Sequence, residues 1–179
     1  MTRAKKSDRS VSIVMTRVYL SGPIVDESRR EDTFYRTVVV TLEEMGLTVF
    51  APQFLPSDSP DRIFERDTNE VRLCDVLVAE VSSPSHGVGM EVMLAVELMK
   101  PVLMFSRRGS QRLSCMLRGA TGKALIEYSD ISEVRSLLQS LDFDSLIVQR
   151  CPGCGSQVAQ VTEDRLRCVA CGRESVHLV

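Results

Sequence analysis

Short apolar runs alternate along this chain with stretches in which apolar residues recur every third or fourth position. The first kind reads as buried strand and the second as amphipathic helix. Arg17 to Gly22 (RVYLSG) forms a strand that ends on a Gly-Pro turn. A helix follows from about Arg30 to Met45, with Phe34, Val38, Leu42 and Met45 on one face, and Gly46 stops it. Leu47 to Ala51 is a second strand. Pro52, Pro56 and Pro60 mark residues 52–60 as a loop. A helix from Pro60 or Asp61 to Cys74 carries Ile63, Asp67, Val71 and Cys74 on one side. Asp75 to Val81 (DVLVAEV) is a buried strand, Ser82 to Gly89 a loop, and Glu91 to Met99 a helix broken by Lys100-Pro101. Val102 to Phe105 and Ala124 to Tyr128 are the last two strands. Between them lie a polar loop, Ser106 to Gln111, and a short helix reaching Arg118. Ile131, Val134, Leu137, Leu138 and Leu141 mark a final helix.

Strands alternating with helices imply an α/β fold: a doubly wound five-stranded parallel sheet of Rossmann or flavodoxin-like type, covered on both faces. Ligands in such folds sit at the carboxyl ends of the strands. The loops after Gly22, Val81 and Phe105 therefore hold the candidate chemistry. Residues 1–10 are polar and basic, and residues 1–14 read as a disordered tail. Met15-Thr-Arg repeats the opening Met1-Thr-Arg, so Met15 is a candidate natural start. Residues 15–147 then form the α/β domain. From Val148 the helical period disappears, and residues 148–179 hold four of the 6 cysteines.

Those four form two knuckles, Cys151-Pro-Gly-Cys154 and Cys168-Val-Ala-Cys171. Two CxxC turns at this separation place four thiolates around one Zn²⁺ ion. Gly153, Gly155 and Gly172 supply permissive backbone. A redox dithiol pair and a rubredoxin-type iron site are the competing readings. The segment resembles a zinc ribbon. Four cysteine ligands leave no open position, so the metal is structural and its job is stability, dimerisation or partner binding. His177 is a spare donor. Cys74 and Cys115 lie in apolar helical contexts and are expected to be buried thiols.

Composition narrows the partners. Net charge is −2, and the ribbon's basic and acidic residues nearly balance, so support for nucleic-acid binding is weak. Eighteen of the 22 basic residues are Arg, a bias too general to assign a site. No apolar run approaches the ~18 residues of a membrane span, and no secretory apolar stretch follows the N-terminal basic residues. A cytoplasmic protein is the expectation.

Three pieces converge on the strand ends: Tyr19-Leu-Ser-Gly-Pro23, Glu65-Arg-Asp67 and Ser85-His-Gly-Val-Gly-Met-Glu91. Gly87 and Gly89 let backbone approach a ligand, and Glu91, in a first helical turn, is expected to stay ionised there. An ionised, partly buried carboxylate is a candidate nucleophile toward a sugar carbon. Taken alone, Glu91 is better read as simply a good first-turn helix residue. Glu80, inside a buried strand, is expected to pair with a helix N-terminus or an Arg. Arg107, Arg108 and Arg118 read as solvated or interface residues.

Taken together, VYLSGPI (18–24), ERD (65–67), DVLVAEVSSPSHGVGMEVMLAVELMKPVL (75–103) and RLSCMLRGA (112–120) resemble the nucleoside 2-deoxyribosyltransferase superfamily. The resemblance is closest to its 2'-deoxynucleoside 5'-phosphate N-hydrolase branch and covers about residues 17–130. It implies that Glu91 attacks the anomeric carbon of a (deoxy)nucleoside or its monophosphate. A covalent deoxyribosyl-enzyme then forms and is resolved by water or by a second base. It implies that Asp67 protonates or orients the base and that Tyr19 holds the nucleophile. Ser21, Gly22, Ser85, Gly87 and Gly89 would bind substrate. Ser114 would be offered by a neighbouring subunit, making a homodimer with shared active sites. One departure stands out: Pro23 and Val25 occupy positions where the hydrolase branch carries Ser and Arg for the phosphate, with Arg29 or Arg30 as possible substitutes. A catalytically silent nucleotide-binding module, with the ribbon recruiting a protein or nucleic acid, is the alternative.

Overall fold

The structure is a computed structural model that describes residues 15–110 and 113–176. The expected N-terminal tail (1–14), Gln111, Arg112 and His177 lie outside the described residues. Five strands form a parallel sheet: β1 (Arg17–Ser21), β2 (Thr48–Phe50), β3 (Val76–Glu80), β4 (Val102–Arg107) and β5 (Lys123–Tyr128). Helices α1 (Asp32–Glu44), α2 (Pro60–Leu73), α3 (His86–Glu97), α4 (Cys115–Gly119) and α5 (Ile131–Gln139) connect or follow them. The order β2-β1-β3-β4-β5 is that of a doubly wound α/β fold. Its winding reverses between β1 and β3, which opens a crevice at their carboxyl ends.

The strand period of two sorts the apolar residues between two cores. Val18, Leu20, Val76, Val78, Leu103 and Phe105 pack with α1 and α5 through Phe34, Tyr35, Val38, Val134 and Leu138. Tyr19, Leu77, Ala79, Val102 and Met104 face the other way, against Val71 and Cys74 of the α2 end and Val88, Val92 and Ala95 of α3. Both faces are covered, so β3 is buried along its whole length.

A second sheet is antiparallel, in the order β6 (Leu146–Val148), β7 (Val158–Thr162), β8 (Arg165–Cys168) and β9 (Glu174–Val176). Phe143, Leu146, Val158 and Val169 join the apolar cluster that includes β1, α1 and α5.

Several local expectations change. The loop after β3 is shorter than the glycines suggest, because Ser85 caps a helix that starts at His86 rather than Glu91. Gly87 and Gly89 are helical, and Glu91 sits in the second turn, beyond the helix-terminal field. Residues Pro52–Phe54 form a 3-10 turn inside the proline-rich loop. Met45, just past the end of α1, lies on the surface, and Cys115, expected to be buried, is exposed at the first position of the short helix α4.

Candidate active site

Tyr19 and Ser21 are two apart on β1 and so point from the same face of the sheet, toward α3. Tyr19 Oη donates to Glu91 Oε1 at 2.9 Å, and Ser21 Oγ donates to the other carboxylate oxygen. Both donors are fully buried, while Glu91 keeps partial solvent access. Tyr19 is fixed from behind by stacking on Phe50, ring centroids 5.6 Å apart. Asp67, buried on α2, accepts from Arg66 Nε at 2.7 Å, and its charge bears on both Tyr19 and Glu91.

Burial pushes the Glu91 carboxyl up to about 7; the Ser21 and Tyr19 hydrogen bonds pull it down, and Asp67 adds a smaller upward push. The expectation of a dipole-held, fully ionised carboxylate gives way to one poised near neutrality. Burial raises the Tyr19 phenol further, so it remains a donor.

Beside this cluster lies a cleft of about 1250 Å³, walled by Pro23–Asp26 and Arg29, by residues 81–90, by Met93, Leu94 and Glu97 of α3, and by Leu113, Ser114 and Met116 of the α4 region. Ser85, Gly87, Gly89 and Ser114 are on its wall; Tyr19, Ser21, Gly22, Asp67 and Glu91 are not. The predicted residues therefore divide into a buried polar cluster and a separate groove, with α3 contributing to both: Glu91 to the cluster, Met90 and Val92 to the groove.

The profile of the family described as nucleoside 2-deoxyribosyltransferase matches residues 18–151. The chain belongs to this family. A 5-hydroxymethyl-dUMP N-hydrolase of Mus musculus is 35% identical over 134 residues, covering 69% of this chain and 77% of that one. A protein of the same name from Danio rerio is 33% identical over 125 residues, 65% of this chain and 87% of that one. Among solved structures, the CMP N-glycosidase BcmB of Clostridium botulinum superposes with a TM-score of 0.58 at 23% identity, over 70% of this chain and all of that one. That last likeness speaks for the fold.

Within this deoxyribosyltransferase-family site, Gly22 is held by close approach. A Cβ there would collide with the Tyr35 ring, whose hydroxyl donates to Pro23 O at 3.0 Å. Arg29 reaches the cleft, donating to Pro84 O at 3.3 Å while paired with Asp26 at 2.9 Å. Arg30 turns away to Asp32 and to Gln53 O. Ser85 and Ser114 each cap a helix with a hydroxyl that accepts from the backbone, at 3.5 and 3.2 Å.

Sequence reasoning gave no role to Gln53 or Arg66, and the partners it expected for Glu80 are corrected. Gln53 is buried after β2, donates to Leu20 O at 3.1 Å, and leaves its Oε1 without a partner. Arg66 bridges Asp67 and the Phe50 ring. Glu80 is fully buried, and its partners are Ser82 and the Tyr128 hydroxyl rather than an Arg or a helix terminus. Burial raises its carboxyl. A polar residue inside an apolar strand was the one signal available for Glu80. Arg66 stands inside the Glu65-Arg-Asp67 stretch without an assigned role, and Gln53 gave no signal.

The four ribbon cysteines converge as their spacing predicts. Their Sγ atoms all lie within 4.8 Å of one another, with Cys151–Cys171 at 3.7 Å and Cys154–Cys168 at 3.6 Å. A tetrahedral zinc site with Zn–S of about 2.3 Å has S···S edges of about 3.8 Å, so the donor set fits the metal. Gly155 and Gly172, with φ of 77° and 69°, close the two knuckles in a conformation costly for other residues.

Proposed function

We propose that this protein cleaves the N-glycosidic bond of a 2'-deoxynucleoside 5'-monophosphate or nucleoside, with Glu91 as nucleophile. One observation carries the reading: a carboxylate that burial raises to about 7 is gripped by two buried hydroxyls at the carboxyl end of β1, with the charge of buried Asp67 bearing on it. The names of the relatives, hydrolases of a modified deoxynucleoside monophosphate, support the substrate class.

Ionised Glu91 attacks C1' as the bond to the base lengthens, forming a glycosyl ester and releasing the base. Tyr19 and Ser21 hold the carboxylate oxygens against rotation, which lowers the entropic part of the barrier. Asp67, held by Arg66, orients the base or carries the proton it takes on leaving. Water then attacks C1' and regenerates the carboxylate, or a second base does so in transfer. Ser85 and Arg29 supply a hydroxyl and a cation for a 5'-phosphate, Arg29 taking the role that Val25 cannot. Gly87 and Gly89 leave the wall without a side chain at their own two positions.

We further propose a homodimer. Met90 and Met93 of α3 and Met116 of α4 are exposed on one wall of the cleft, and a second copy covering them would bring Ser114 to its neighbour's substrate. The four cysteines hold a structural Zn²⁺, and the protein works in the cytoplasm.

The test is base release from a panel of deoxy- and ribonucleoside 5'-monophosphates and free nucleosides, with and without an added base. Free base without an acceptor identifies a hydrolase. Products only with an acceptor identify a transferase. Glu91→Ala should lower either rate at least about 1,000-fold. Ligand binding with no release from any substrate would favour the silent binding module.

A further inference from the structure

We infer that the four-cysteine ribbon is a metal-dependent brace of the parallel-sheet domain, seated on the starting end of edge strand β5, rather than a recruiting arm. The inference concerns folding and stands apart from what Glu91 does.

Edge strands leave backbone groups unpaired, and β5 is the outermost strand of its sheet. Gln157, just before β7, engages it twice. Its backbone N–H donates to Lys123 O at 2.8 Å, and its Oε1 accepts from Gly122 N at 3.1 Å. Gln160 Oε1 accepts from Asp142 N at 3.2 Å, tying β7 to the segment after α5. Val158 is fully buried and Val169 nearly so, both in the core shared with Ala124, Val134 and Leu138.

The knuckles place these anchors. Val169 lies inside the second knuckle, between Cys168 and Cys171, and its N–H donates to Val158 O at 3.1 Å. The first knuckle closes through Cys151 N to Ser156 O at 2.7 Å, one residue before Gln157. A ribbon this short cannot hold its shape by burial alone. The metal–sulfur bonds are what would hold the two knuckles against each other, so losing the metal opens both and releases Gln157 and Val169. Gly122 and Lys123 begin β5, whereas the cleft gathers at the strands' far ends. The brace therefore acts on stability and not on the reacting groups.

The test uses the full chain with Zn²⁺ added to stoichiometry, before and after chelation, followed by thermal unfolding and hydrogen exchange. Chelation is expected to lower Tm by roughly 10 °C or more in a single transition. Exchange at Lys123–Tyr128 should accelerate at least about tenfold. Gln157→Ala should accelerate exchange in β5 about fivefold while the zinc content stays at one per chain. Failure to bind zinc, an unchanged Tm and β5 exchange after its removal, or separate melting of ribbon and sheet domain would each overturn the inference. Unchanged β5 exchange in Gln157→Ala would do the same.

Discussion

The two polar clusters of this molecule are built on opposite plans. At the carboxyl ends of the strands, Glu91 is held by two neutral hydroxyls and stays in partial contact with solvent. In the ribbon, four sulfurs face one another within 4.8 Å and leave no room for a substrate between them. The first plan keeps a charged group desolvated and without a cation in contact, which is costly for the fold and useful for bond cleavage. The second satisfies every donor within the cluster, which suits a structural centre. One chain thus spends stability at one site and recovers it at another.

The contrast can be sharpened by changing single atoms. Tyr19→Phe removes one grip on the carboxylate and should lower kcat about 10- to 100-fold, with KM little changed, in steady-state base-release assays. An equal loss in KM alone would place Tyr19 in substrate binding instead. The pH profile of kcat/KM offers a second handle. Glu91 must be ionised to attack, and burial sets its carboxyl at about 7. The rate should therefore fall about tenfold per pH unit below 7 and level off above it. A flat profile down to pH 5 would show that Glu91 is not the titrating group.

Two further predictions concern the fold. Gly22→Ala forces a methyl group into the Tyr35 ring and should cost about 1–3 kcal/mol in denaturant unfolding. Glu91→Gln should stabilise the protein by about 1 kcal/mol at pH 8. The sign follows from the raised folded-state pKa. The folded protein holds this proton more tightly than the unfolded chain, so wild-type stability drops as pH rises from about 4.5 through 7. The gain in the variant should vanish at pH 4. A gain that persists there would point to packing rather than charge.

The same contrast explains what could be read from the sequence. The ribbon ligands are local, and the two-residue gaps within each knuckle dictate the cluster. The alternation of apolar runs and helical periods sufficed for the parallel sheet, because β1, β3 and β4 are buried on both faces while the edge strands β2 and β5 are partly exposed. Helix α3 was misplaced by five residues, since Gly87 and Gly89 weaken helix propensity and only the Ser85 cap reveals the true start. The Glu91 cluster joins residues as far apart as Tyr19 and Glu91, and nothing in their spacing links them. Resemblance to a family brought them together on paper; the shared face of Tyr19 and Ser21 does so in the structure. Arg66 neighbours Asp67 in the chain, whereas Gln53 has no such pattern and only the folded chain brings it against β1.

The most direct test of the central claim is to look for the glycosyl ester itself. Rapid acid quench during turnover of an accepted substrate, followed by peptide mass spectrometry, should find a peptide carrying the sugar moiety on Glu91. That adduct should be absent in Glu91→Ala. Turnover that proceeds at full rate with no adduct, and that survives Glu91→Ala, would contradict the account.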